Sequence, residues 1–197
     1  MNYLAHAYLS FDSEEILVGN LISDFVKGKR KFDYPRGIQK GIALHRAIDT
    51  FTDTHQATKE AKKIFQPDYR LYSGAFVDVV YDHFLALDAH AFPDETLRNF
   101  SENVYRVLDR YTKHFPVRFA RIFSFMKSQN WLYHYQTKEG TKAAFGGLAR
   151  RARYIDESET AARLFEKNYH ILRECYQHFF PDVKSFAYTF YQQGWDI

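Results

Sequence analysis

A single cysteine, Cys175, leaves this 197-residue chain without an internal disulfide and fits a reducing compartment. Long apolar runs are missing too: none approaches the roughly 18 residues that a membrane span requires. The opening MNYLAHAYLSF is apolar, but it has no basic leader, contains His6 and runs into Asp12, Glu14 and Glu15 without a small-residue cleavage site. A soluble, cytoplasmic protein with no membrane span is therefore expected. Five prolines and nine glycines are too few for the many tight turns of a β-sandwich. There is no Gly-rich phosphate loop, no GxSxG elbow and no CxxC pair.

What is present is a well-stocked core. Hydrophobic residues make up 46% and aromatics 18%, chiefly 19 Phe and 15 Tyr, which excludes disorder and suits one domain spanning residues 1–197. The net charge is only +3, yet it is clustered: Lys27, Lys29, Arg30, Lys31 and Arg36 in one run, Arg150, Arg151 and Arg153 in another. Such runs are usually solvated surface; the alternative is a dock for an acidic partner. Neither run is interleaved with stacking aromatics, so no nucleic acid is expected.

Helical periodicity dominates and no strand is expected. The pattern predicts a short helix over about 2–10 and a second from Asp12 or Ser13 to about Val26, ending at Gly28. A loop through Lys29–Pro35 follows, then a third helix over about 36–52. Further helices are expected over about 55–66, closed by Pro67, and over 71–90, broken by Pro93. Others cover about 94–114 and 117–128. Gly140, Gly146 and Gly147 mark turns around a short helical piece. A long helix over about 157–179 should stop at Pro181, before an aromatic tail (Tyr188, Phe190, Tyr191, Trp195) that is either core or interface.

Within the third helix, His45, Asp49 and Asp53 recur at i, i+4 and i+8, so they stack along one face. On a helical wheel His45 and Asp49 fall within about 20° of Ile38, and Asp53 about 60° away. Imidazole and carboxylates thus point where the isoleucines point. Unpartnered buried charge costs several kcal/mol, so these groups call for a cation. Other runs repeat the theme: Asn2 with His6, Asn20 with Asp24, and inward-facing His83 beside Asp82 at the border of its helix. Singly, each reads as an ordinary cap, surface pair or core histidine. Jointly they suit a divalent ion bound between helices, and an N/O donor set without thiolate fits Mn²⁺, Mg²⁺, Fe²⁺ or Zn²⁺. Such a site polarises a phosphoryl oxygen and acidifies water. Arg46 is a candidate fork for phosphate, with a salt bridge to Asp49 or Asp53 as its plainer reading.

At these residues the chain resembles the acyl carrier protein phosphodiesterases. The resemblance rests on NYLAH at 2–6, GNLISDFVKG at 19–28, LHRAIDTFTD at 44–53 and YDHFLA at 81–86, with weaker matches at WLYHY and GLARRA. It implies an all-α enzyme that removes 4′-phosphopantetheine from the serine of holo-acyl carrier protein and depends on a divalent metal, typically Mn²⁺. The family is compared with HD-type phosphohydrolases, so a distantly HD-like bundle is expected. The order Asp82-His83 is reversed from the HD pair, however, and that ligand scheme does not carry over directly. The expected ligands are Asp24, His45, Asp49, Asp82 and His83, with His6 and Asp53 as second choices. Asp49 or Asp53 would orient the water and Arg46 would offset phosphoryl charge. The rival readings are hydrolysis of a nucleotide or other small phosphodiester, and a non-enzymatic binding module. Oligomeric state is open.

Overall fold

Two glycines decide how the first half of the chain packs. Helix α2 (Glu14–Ile22) crosses α3 (Arg36–Thr54) where both lack a side chain. A Cβ on Gly19 would lie 2.0 Å from the Ile38 carbonyl oxygen, and one on Gly41 would lie 2.2 Å from that of Ile16. Only glycine permits backbones to approach so closely. The crossing sets Asn20 and Asp24 against His45. Ile22, Ile38, Ile42 and Ile48 are fully buried around it.

The computed structural model describes residues 1–94 and 96–193, and among them the regular structure is entirely helical. The other helices are α1 (Tyr3–Tyr8), α4 (Gln56–Tyr69), α5 (Ser73–Ala86), α6 (Thr96–Arg110), α7 (Val117–Ser128), α8 (Trp131–His134), α9 (Lys138–Arg151), α10 (Glu159–Lys167) and α11 (Tyr169–Gln192). Short α1 is too small to hold itself together in water. It is anchored from outside: both Asp82 oxygens, on α5, accept from its first turn, from the Leu4 N–H at 2.8 Å and the Ala5 N–H at 3.0 Å.

Aromatic packing joins the two halves. Phe65, Phe76, Phe145 and Phe165 are fully buried where α4, α5, α9 and α10 meet. Tyr81 stacks on Phe179, with centroids 4.8 Å apart, and Phe51 on Phe186 at 4.6 Å, which fastens α11 across α5 and α3. The tail aromatics belong to this helix: Tyr188 and Tyr191 both lean on Phe11. Trp195 lies outside the described residues.

Several expected boundaries move. The glycines at 140, 146 and 147 sit inside α9 instead of marking turns, because a Cβ at Gly140 would lie 2.0 Å from the His134 carbonyl oxygen and the helix needs the gap. Helix α4 absorbs Pro67 in its last turn, and α11 runs through Pro181. Proline there forfeits a helical hydrogen bond, which the burial of Phe179, Phe180 and Val183 around it offsets. The break falls instead at Asn168, whose amide turns back to the Leu164 carbonyl at 2.9 Å. The basic segment Gly28–Asp33 is wound as 3₁₀ turns, not open loop.

Candidate metal centre

The i, i+4 spacing on α3 does what helix geometry requires: His45 Nε2 lies 3.0 Å from Asp49 Oδ2. From α1, His6 brings its Nε2 to within 3.2 Å of the other oxygen, Asp49 Oδ1. Ligand atoms of His6, His45 and Asp49 all lie within 4.8 Å of one another. On the far side of His45, Nδ1 lies 2.7 Å from the Asn20 carbonyl oxygen. A carbonyl can only accept, so the proton sits on Nδ1 and Nε2 is turned toward the carboxylates, the orientation a metal-ligating imidazole adopts. Asp24, in the 3₁₀ turn Ser23–Phe25 that follows α2, reaches His45 Nε2 at 3.2 Å while its side chain stays 72% exposed.

Two further groups complete the cluster. The Met1 α-amine is buried, 3.3 Å from Asp49 Oδ1 and 3.1 Å from Asp78 Oδ1. Burial alone would lower its pKa, but Asp78 and Asp49 raise it to about 11. For Asp78, burial pushes the carboxyl up and the amine pulls it back. Burial likewise opposes the charge on Asp49, yet the amine, His45 and His6 together hold it well below the usual carboxylate range. Burial and the neighbouring His45 drive His6 down to about 4. For His45, burial is outweighed by its bonds to Asp24 and Asp49, and the imidazole rises to about 9.

The donor set fits a divalent cation. His6 is fully buried, and neither of its ring nitrogens makes an aligned hydrogen bond among the described residues. An imidazole held neutral, aimed at a carboxylate and left without a hydrogen-bond partner is costly unless something else binds it. Two nitrogens and a carboxylate, without sulfur, match Mn²⁺, Fe²⁺ or Zn²⁺ chemistry.

Of the residues singled out from the sequence, His6, His45, Asp49 and Asp24 are brought together. His83 is buried as the periodicity predicts, and Asp82, expected at the border of its helix, is buried too, but both for other work. Asp82 caps α1. His83 faces away from the cluster: its Nδ1 donates to the Tyr135 carbonyl at 2.7 Å, and its Nε2 lies 2.9 Å from the Tyr169 hydroxyl. Asp53 pairs with Lys62 at 2.6 Å on the surface. Arg46 is exposed and donates to the Val26 carbonyl at 2.9 Å, pinning the segment after α2. Asp78 and the Met1 amine were missed. Asp78 lies one turn before Asp82, a spacing that was legible, whereas nothing local links the amine to two distant carboxylates.

The cluster opens into a cleft of about 350 Å³ whose walls include His6, His45, Asp24, Asp78, Arg118 and Arg151. Among the described residues neither arginine has a carboxylate within ion-pair distance, so two guanidinium groups face the cleft with their charge available. Guanidinium forks are suited to phosphate oxygens.

Comparison with other proteins bears on this geometry. The family model described as "Acyl carrier protein phosphodiesterase" matches residues 1–183. A protein of that name from Yersinia pestis is 33% identical over 184 residues, 93% of this chain and 95% of that protein. Another from Klebsiella pneumoniae (strain 342) is 32% identical over 188 residues, 95% of this chain and 97% of that protein. No solved structure matches. Over nearly its whole length, then, the chain belongs to the acyl carrier protein phosphodiesterase family.

Proposed function

We propose that this protein hydrolyses the phosphodiester joining 4′-phosphopantetheine to the serine of holo-acyl carrier protein, with a divalent ion held by His6, His45 and Asp49. The observation that carries the reading is the convergence of two imidazoles and one carboxylate beside a cleft lined by two arginines, in a chain of this family. Mn²⁺ is the proposed ion, with Mg²⁺, Fe²⁺ and Zn²⁺ as substitutes compatible with the donors. Bound there, such an ion supplies Lewis-acid polarisation of the phosphoryl group and acidifies water.

The chain's own groups do the rest. The Asn20 carbonyl holds His45 in the tautomer that leaves Nε2 for the ion. The Met1 amine, itself held by Asp78, pairs with Asp49 and steadies its charge. Arg118 and Arg151 grip the non-bridging oxygens and offset their charge as the transition state forms. Asp24, exposed in the cleft and free on its outer side, takes the proton of the attacking water. The water oxygen bonds to phosphorus as the bond from phosphorus to the serine oxygen breaks, and that oxygen takes the proton back from Asp24, so that water has added across the bond. A small acidic carrier is steered by the basic rim: Arg118 and Arg151 line the cleft, and Arg30 lines a cavity that shares Arg118 with it. The cytoplasm is the proposed place of action. No helix among the described residues is long and apolar enough to cross a membrane.

The test is to incubate the protein with holo-carrier protein and Mn²⁺ and weigh the carrier by mass spectrometry. Loss of the phosphopantetheine mass is expected. A carrier of unchanged mass across Mn²⁺, Mg²⁺, Fe²⁺ and Zn²⁺ rejects the reading.

A further inference from the structure

A second chamber, also about 350 Å³, adjoins the cleft and shares Asn2, Tyr3 and Arg151 with it. It contains none of the His6–His45–Asp49 cluster. Its volume sits at the small end of the range for organic ligands. Part of the lining is aromatic: Tyr3 and Trp131 lie with centroids 6.4 Å apart and planes tilted by 47°. On α9, Ala143 and Ala144 line the chamber with small side chains, while Asn2 and Glu139 supply polar points. Asn2, also in the lining, donates to the Tyr135 hydroxyl at 2.8 Å. Arg151, at the junction, is reachable from either side.

We propose that this chamber receives the pantetheine arm of the substrate, with Arg151 holding the phosphate at the boundary between arm and metal cluster. The inference rests on the phosphodiesterase reading above and deepens it. A pantetheine arm is a flexible chain with two amides, a gem-dimethyl group and a terminal thiol. It needs apolar walls with a few hydrogen-bonding groups, opening beside a cation that takes its phosphate, and the chamber has that composition and that neighbour. Burying the arm explains how an enzyme that meets only a protein surface can select one serine: it reads the prosthetic group as well as the carrier. Without the chamber, a diester-cleaving cluster would treat any accessible small phosphodiester alike.

Two measurements test this on the full chain. First, pantetheine without phosphate is titrated into metal-free protein while tryptophan fluorescence is followed, with Trp131→Phe assigning the signal. A saturable change that vanishes in Trp131→Phe is expected; a titration that leaves the Trp131 signal unmoved overturns the proposal. Second, Ala143→Phe, on the α9 wall of the chamber, narrows it. The ratio of kcat/KM for holo-carrier protein to that for bis(4-nitrophenyl) phosphate should then fall about ten-fold, the usual scale of a pocket-size mismatch. A ratio equal to wild type overturns the proposal. Should the wild type cleave the small diester but not holo-carrier protein, the carrier reading fails by itself, and the pantetheine titration decides the chamber separately.

Discussion

The imidazoles of His6 and His45 lie stacked, their centroids 3.9 Å apart and their planes 15° from parallel, with both Nε2 atoms directed at Asp49. Two imidazolium rings cannot occupy that position together. The arrangement keeps one ring neutral, and a metal ion lets both be so. Removing Asp49 (Asp49→Ala) or His6 (His6→Ala) should therefore abolish stabilisation by Mn²⁺. In wild type, Mn²⁺ at about 100 times its Kd adds about 2.7 kcal/mol, a rise of several degrees in Tm for a chain of this size. Thermal melts with and without the ion, together with metal content after dialysis, check this. An unaltered Mn²⁺ shift in Asp49→Ala would remove the centre from the mechanism.

Asp24 touches His45 from the solvent side. Asp24→Asn keeps the shape but loses the charge and the proton acceptor. Metal affinity should weaken by about 10- to 100-fold, the usual effect of changing a ligand's supporting partner. Turnover should fall further than metal occupancy alone explains. Activity measured at saturating metal separates the two effects.

The glycine crossing couples stability to the site. Gly19→Ala or Gly41→Ala forces α2 away from α3 and should cost about 1–3 kcal/mol by urea unfolding. The same variants shift Asn20 and Asp24 relative to His45, so metal affinity should drop alongside. Loss of stability with full metal affinity would show that the crossing is structural only.

Asp82 predicts a pH dependence. Burial pushes its carboxyl up to about 7, against the two backbone N–H groups that favour its charge. Its folded pKa therefore lies above the unfolded value of about 3.9. The folded state binds the extra proton between these values, so this group's contribution to stability is full below about pH 4 and declines as pH rises through about 7. Asp82→Asn should flatten that slope in unfolding free energies measured from pH 4 to 8. Asp82→Ala should cost about 1–3 kcal/mol, because buried donors of α1 lose their acceptor.

Asp53 and Arg46 provide the negative control for the sequence-based expectation. With Asp53 paired to Lys62 and Arg46 bonded to the Val26 carbonyl, neither lies in the cluster. Asp53→Ala should change stability by no more than about 0.5 kcal/mol and leave turnover within about two-fold. A large loss of kcat would bring Asp53 back into the chemistry.

Local sequence determined whatever depends on a single helix. The 3.6-residue repeat made the chain all-helical and turned His45, Asp49, His6 and His83 inward, with Asp82 at the border of its helix, since which face is buried is a property of spacing alone. It did not say which inward groups meet. The partner of a buried polar side chain is a matter of where two helices cross, and that was decided by Gly19 and Gly41, by α1 docking its N–H groups on Asp82, and by His83 finding a carbonyl and a hydroxyl on other elements. Proline and glycine misled for the same reason. Pro181 and Gly140 carry real local penalties, but packing around them is worth more than the penalty, and only the assembled core contains that term.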